Sequence, residues 1–163
     1  MAIIIRGKTV CKLCGNVIQE DQNVLSYPEF TYSDIDPLAV FSGGVFHQDC
    51  VIQHELKEKL FERFKKIEEG YFSKICVISN EKLNLSNVHH PDNHIYLGHL
   101  VDDKSSPLFR YNYCHINKRY FEFWDEKSDF LNYLKELAKL EGYSKVNSLI
   151  DQLESPPVKP MYK

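Results

Sequence analysis

The chain lacks several features by which common protein classes are recognised. No segment approaches the roughly 20 apolar residues that cross a bilayer, and the apolar run at residues 2–5 is too short for the core of a signal peptide. Basic blocks are missing too, since 20 Lys and Arg stand evenly spread against 23 Asp and Glu, for a net charge of −3. We therefore expect no membrane partner, and the charge argues against nucleic acid as a partner because phosphate binding depends on clustered positive charge.

Motifs of the common enzyme classes are also missing. The sequence contains no serine-hydrolase elbow, no P-loop and no glycine-rich dinucleotide motif. Its 163 residues, 43% hydrophobic and 13% aromatic, are nevertheless enough for one compact domain or two small ones. The five cysteines, three of them in one predicted site, fit a reducing compartment. The sequence favours a folded, cytoplasmic, non-enzymatic protein.

Three cysteines and one histidine have the spacing of a metal site. Cys11 and Cys14 precede Gly15, which tolerates the positive φ of a tight turn, and His47 and Cys50 follow at a predicted helix start. This pattern predicts one structural Cys3His zinc with no position open for substrate or water. The alternatives are a disulfide, a Cys-x-x-Cys redox centre, or buried cysteines. None of them explains a histidine and a third cysteine at ligand spacing.

The order of a knuckle, a strand region, and a His and Cys at a helix start resembles a treble-clef zinc finger. LIM-like and RING-like modules belong to the same broad group. The resemblance covers about residues 8–70, and all four ligands match, although residues 15–44 form a longer interior than the short LIM spacing. It implies an α+β unit that is stabilised by zinc.

The second half of the chain repeats the pattern with two ligands replaced. In the sequence comparison, Cys76, Ser79, His115 and Lys118 stand opposite Cys11, Cys14, His47 and Cys50. A serine hydroxyl is a poor zinc ligand, and a charged lysine is no ligand. We therefore predict an α+β fold of two tandem treble-clef-like units, the second zinc-free and stabilised by aromatic packing, plus a C-terminal helix.

Domain boundaries follow from this repeat. We predict a zinc-binding unit at residues 1–74, a degenerate unit without metal at 75–143, and a terminal helix with a Pro-rich tail at 144–163. Because its prolines cannot continue a helix, we expect the tail to fray.

Local patterns predict the elements within these units. Residues 3–10 and 109–113 are typical of strands, and apolar periodicity predicts one helix from Cys50 to Gly70. Further helices are predicted over residues 127–140 and after Ser144.

The remaining histidines allow an enzymatic alternative. His89, His90 and His94, followed by His99, resemble those of His-Asn-His nucleases, in which histidines activate water and hold a divalent ion. However, the cluster at residues 89–94 lies in a loop rich in Pro, Asp and Asn, and the charge signature of a nucleic-acid binder is missing. A polar surface loop is the favoured interpretation.

A closed structural zinc, many aromatics and mild acidity together favour a protein-interaction or adaptor module. We therefore expect a protein partner. Because two small units cannot bury every aromatic side chain, we predict the contact surface at Tyr27, Phe30 and Tyr32.

Overall fold

A computed structural model of the chain describes residues 4–83 and 93–158. These residues form two antiparallel sheets of two strands each and five α-helices, which confirms the predicted α+β class. In chain order the elements are β1 (Val24–Tyr27), β2 (Gly44–His47), α1 (Gln48–Ile52), α2 (Lys57–Ser73), β3 (His94–Leu97), β4 (Cys114–Asn117), α3 (Lys118–Phe121), α4 (Lys127–Ala138) and α5 (Val146–Glu154). Two 3₁₀ helices, Pro37–Phe41 and Phe109–Tyr111, precede β2 and β4.

Each sheet packs on its own apolar cluster. The first cluster joins the knuckle at Cys11 to Phe41, Phe46 and Leu60, so α2 covers the β1–β2 hairpin. The second joins the β3–β4 hairpin to α4 and α5. The predicted apolar stripe of the last helix is confirmed, because Val146, Leu149, Ile150 and Leu153 are all at most 6% exposed.

The predicted single helix from Cys50 to Gly70 is wrong at both ends of α2. The chain breaks after Ile52, where His54 Nδ1 accepts a hydrogen bond of 3.1 Å from the Leu56 N–H, and α2 begins at Lys57. Gly70 does not end α2, which continues to Ser73. A Cβ at Gly70 would lie 2.5 Å from the Tyr113 carbonyl oxygen, so the glycine permits close packing of α2 on the second half.

Two predicted strands are also wrong. Residues 4–10 form a turn with one bridge between Val10 and Val17, because the Thr9 side chain and the turn at Ile5 satisfy the local backbone. Residues 109–111 form a 3₁₀ helix, since Ser106 Oγ accepts a hydrogen bond from the Leu108 N–H and starts a tight turn. Alternation over five residues does not separate these structures from a strand.

The hydrogen-bond pattern of the first half recurs in the second. At the first knuckle the Cys11 N–H donates to the Asn16 carbonyl at 2.8 Å, and the Cys76 N–H donates to the Glu81 carbonyl at 2.9 Å. The residue that closes each knuckle has a positive φ, 74° at Gly15 and 58° at Asn80. The two hairpins and their preceding 3₁₀ helices then follow in the same order.

Backbone contacts correct the predicted alignment of the two halves. The His47 N–H donates to Cys11 Sγ at 3.4 Å, and the Asn117 N–H donates to Cys76 Sγ at the same distance. Both residues end a strand and cap the following helix. Asn117, not His115, therefore corresponds to His47, and by the same register Tyr120, not Lys118, corresponds to Cys50. Matching side-chain types had shifted the alignment by two residues.

The halves are tied together by main-chain hydrogen bonds. The His99 N–H donates to the Phe30 carbonyl at 3.1 Å, and the Tyr32 N–H donates to the His99 carbonyl at 3.3 Å. The Asp34 N–H donates to the Gly142 carbonyl at 2.6 Å. These bonds hold the 30–36 loop against the second half.

The start of the C-terminal tail is held in place rather than frayed. The amide of Asn93, only 1% exposed, forms two hydrogen bonds with the backbone of Val158, at 2.8 and 2.7 Å. The Lys118 ammonium donates to Ser155 Oγ at 2.6 Å. The tail is thus fixed up to residue 158 by contacts with the second half.

Candidate metal centre

The fold brings the four predicted ligands together. Cys11 and Cys14 lie on a turn closed by a 2.8 Å hydrogen bond from the Gly15 N–H to the Cys11 carbonyl. His47 is the last residue of β2, and Cys50 lies in the first turn of α1. One donor atom from each of the four residues lies within 4.8 Å of all the others.

Two of the donor distances match those of a tetrahedral zinc site. Zn–S bonds of about 2.3 Å and a Zn–N bond of about 2.0 Å give a sulfur-to-nitrogen edge of about 3.5 Å. Cys14 Sγ lies 3.4 Å from His47 Nδ1, and Cys50 Sγ lies 3.7 Å from the same atom. The four side chains could therefore hold a metal ion, and these two distances are compatible with zinc.

A side chain outside the ligand set orients His47. Gln22 Oε1 lies 2.9 Å from His47 Nε2 and also accepts the Gln19 N–H at 2.8 Å. An amide oxygen only accepts, so Nε2 carries the proton and Nδ1 is left with a lone pair toward the thiols. Sequence reasoning missed Gln22, which lies far from His47 along the chain in a motif-free polar loop.

The thiols at this site have different proton affinities. Burial opposes ionisation of Cys11, but the backbone N–H groups of Cys14, His47 and Leu13 outweigh it and lower its pKa from 9.0 to about 6. Burial and the neighbouring thiols Cys14 and Cys11 raise the pKa of Cys50 to about 12. Three thiolates this close repel one another, and a bound dication would stabilise them together.

The alternatives left by the sequence explain fewer of these contacts than a metal ion does. All five cysteines are free thiols. A disulfide or a redox pair would use Cys11 and Cys14 alone, and it would not require His47 Nδ1 at 3.4 Å from Cys14 Sγ. His54 is not part of the four-residue cluster, and its ring packs edge-on against Phe41 with centroids 4.9 Å apart.

The corresponding positions of the second half hold only one residue of a zinc-binding type. Cys76 is fully buried, whereas Ser79 Oγ accepts the Glu81 N–H at 3.4 Å and the Tyr120 hydroxyl donates to Glu81 Oε2 at 2.7 Å. Among the described residues, no group of three donor side chains forms around Cys76. His115, which the sequence comparison placed opposite His47, contacts the Tyr71 carbonyl through Nε2 at 3.2 Å.

The histidines of the nuclease alternative fall in different parts of the chain. His89 and His90 lie outside the described residues. His94 begins β3, and His99 lies after β3 with 4% exposure. The described residues therefore leave the predicted cluster at 89–94 untested.

The aromatic surface predicted at Tyr27, Phe30 and Tyr32 is wrong. Tyr27 stacks on Phe64 with ring centroids 4.5 Å apart, and Phe30 is 4% exposed in the first apolar cluster. Tyr32 packs against the second cluster. These residues are core and inter-half contacts, because the loop folds back between the two halves.

Within the described residues, every helix is too short or too polar to cross a membrane. In comparisons with known proteins, no protein-family model matches the chain, and neither a curated protein nor a solved structure matches it.

Proposed function

We propose that this protein binds one structural zinc through Cys11, Cys14, His47 and Cys50, in a treble-clef-like unit followed by a metal-free copy. The single observation that carries the proposal is the close tetrahedral donor set, with His47 fixed by Gln22. Four protein ligands complete the usual coordination of zinc, so the ion acts on folding rather than on a substrate. The recurrent hydrogen-bond pattern supports the second copy, whose corresponding positions have lost three of the four ligands.

The proposed role of this zinc-stabilised scaffold is protein interaction. Four apolar side chains are exposed within the segment at residues 71–77, which joins the two halves: Tyr71 (47%), Phe72 (65%), Ile75 (46%) and Val77 (37%). Aromatic side chains are common anchors of protein interfaces. This segment replaces the surface predicted at Tyr27, Phe30 and Tyr32 as the proposed contact surface, since Phe30 is buried and the two tyrosines are half-buried.

Metal analysis of paired variants tests the zinc proposal. The wild type should contain one zinc per chain, and Cys14→Ser should lose both the metal and the cooperative fold. Ser79→Ala, at the corresponding position of the second half, should keep both. Equal zinc content in Cys14→Ser and the wild type would contradict the assignment.

Binding assays test the interaction proposal separately. The double change Phe72→Ser with Ile75→Ser should lower the affinity for a purified protein partner about thirtyfold or more, since a hot-spot aromatic contributes about 2 kcal/mol. Tyr133→Ser, an exposed aromatic of α4 at 43% exposure, is the matched control and should retain binding. Equal affinity in the double variant and the control, with zinc content unchanged, would place the interface elsewhere.

A further inference from the structure

A cleft of about 670 Å³ opens between α2 and the loops on either side of the contact between the two halves. Its volume lies within the range of small-molecule sites. One wall is a single face of α2 and carries Lys59, Glu62, Arg63 and Lys66. Arg110, which is paired with Glu126 at 2.6 Å, lines the other wall. The zinc site uses none of these residues.

The floor of the cleft is a chain of polar side chains. Tyr113 Oη lies 2.9 Å from His99 Nδ1, and His99 Nε2 lies 3.1 Å from Asp102 Oδ1. Arg63 continues the chain, with Nη2 at 3.3 Å from Asp102 and Nη1 at 2.8 Å from Asp36. The side chains of Asp36, His99 and Arg63 are 2%, 5% and 12% exposed, whereas that of Asp102 is 69% exposed.

These contacts determine which atoms of His99 and Tyr113 carry a proton. Asp102 accepts a hydrogen bond from His99 Nε2. In a neutral His99, Nδ1 therefore has a lone pair that accepts a hydrogen bond from the Tyr113 hydroxyl. Burial, helped by the Arg63 charge, lowers the pKa of His99 and supports the neutral form. Burial raises the pKa of Tyr113 to about 12, so its hydroxyl keeps the proton. The floor therefore offers one cation, Arg63, whose partner Asp102 is exposed.

The two terminal nitrogens of the Arg63 guanidinium are held to different degrees. Asp36 holds Nη1 at the shorter distance, and its own carboxylate is fixed by the Leu38 N–H at 2.9 Å. Within the part of the chain that the structure describes, Nη2 is held by the solvent-exposed Asp102 at 3.3 Å. A ligand oxyanion can take the place of Asp102 while Asp36 keeps the guanidinium in position.

A metal ion fits the same floor less well. Asp36, His99 and Asp102 place three donor atoms within 4.8 Å of one another. However, the Arg63 guanidinium already bridges the two carboxylates, so a dication would have to displace a nearly buried cation. Lys59 and Lys66, which flank Glu62 on the α2 wall, favour an anion instead.

The backbone conformation of Tyr113 is shared with the first half, but the side chain it presents to the cleft is not. Tyr113 has a φ of 63°, a conformation that side chains rarely adopt, and the corresponding residue of the first half is Gly43 with a φ of 64°. In the second half, this strained position carries the ring that contacts His99. Strained residues of this kind concentrate at functional sites.

We propose that this cleft binds a small ligand bearing a phosphate or carboxylate group, held by Arg63 at the floor and by Lys59 and Lys66 on the α2 wall. The anion occupies the position that Asp102 holds beside Arg63 Nη2. Tyr113 and His99 lie beside the bound group, so their NMR signals should shift when it binds.

Titration of the full-length protein with inorganic pyrophosphate and with citrate, followed by NMR, tests this proposal and identifies the anion class. Saturable shifts should centre on Arg63, His99 and Tyr113. The variant Lys59→Ala with Lys66→Ala should weaken binding about tenfold or more. Lys57→Ala with Lys65→Ala removes the same charge from the same helix outside the cleft, and it should change the affinity less than about twofold.

Arg63→Lys keeps the charge but loses the planar fork, so it should also weaken binding, with zinc content and cooperative unfolding as the check on folding. Two results would overturn the proposal. One is that neither anion gives saturable shifts at millimolar concentration. The other is an equal loss in the two double-lysine variants, which would reflect net charge alone.

Discussion

At the scale of residues, a few contacts determine what each side chain can do. His47 can serve as a ligand through Nδ1 because Gln22 engages Nε2. Gly70 lies inside α2, and because it has no side chain the backbone at Tyr113 can pack closely against the helix. Both roles depend on partners remote in sequence.

Replacing Gln22 should weaken the metal site without removing a ligand. Gln22→Ala leaves the His47 ring without its hydrogen-bond acceptor, and loss of such a partner typically lowers metal affinity about 10- to 100-fold. Chelator competition measures the affinity. Gln19→Ala, in the same loop, should have little effect, and an unchanged affinity for Gln22→Ala would show that Gln22 does not orient the ligand.

Gly70→Ala should destabilise the protein, contrary to the usual rule for helices. Alanine in place of glycine normally stabilises a helix interior by about 0.5–1 kcal/mol. Here the new Cβ would lie 2.5 Å from the Tyr113 carbonyl oxygen, so we expect a loss of about 1–3 kcal/mol. Urea unfolding measures the change in the free energy of unfolding. The exposed Glu68→Ala is the control, and its free energy of unfolding should stay within about 0.5 kcal/mol of the wild type. A stabilised Gly70→Ala would refute the tight packing.

At the scale of elements, the sequence predicts what depends on periodicity and spacing. The stripe of Val146, Leu149, Ile150 and Leu153 predicts α5, and the Cys and His spacing predicts four side chains that do converge. The alignment of the two halves could not be predicted in the same way. Backbone hydrogen bonds to Cys11 and Cys76 define that register, and side-chain identities do not report them.

Grafting ligands into the second half tests the structural register. The triple change Ser79→Cys, Asn117→His and Tyr120→Cys should join Cys76 in a second site and raise the zinc content to about two per chain. The variant Ser79→Cys with Lys118→Cys follows the sequence alignment and should stay near one. If the second variant gains zinc and the folded triple variant does not, the register derived from the structure is wrong.

At the scale of the whole molecule, the two halves are joined through buried polar contacts around His99. Its backbone bonds to Phe30 and Tyr32, and its ring connects Tyr113 to Asp102 and so to Arg63 on α2. The sequence suggested two separate units. It could not show that the 30–36 loop packs between them, because the apolar pattern of that loop does not indicate which part of the chain it contacts.

The His99 contacts make stability depend on pH. Burial and then the Arg63 charge lower the pKa of His99 in the folded state, while the unfolded value is about 6.5. The folded state thus binds fewer protons, so its stability is full above about pH 6.5 and falls as the pH drops through the folded pKa. Unfolding free energies between about pH 7.5 and 5.5 should show a smaller slope for His99→Gln than for the wild type. An identical slope in His99→Gln and the wild type at constant zinc content would contradict the assignment.

We propose that one closed zinc site holds the first half of the protein together. Zinc analysis with X-ray absorption at the zinc edge tests it most directly. We expect one zinc per chain, with three sulfurs at about 2.3 Å and one nitrogen at about 2.0 Å. A protein that folds cooperatively without zinc, or a zinc shell that contains water in place of one of the four side chains, would contradict it.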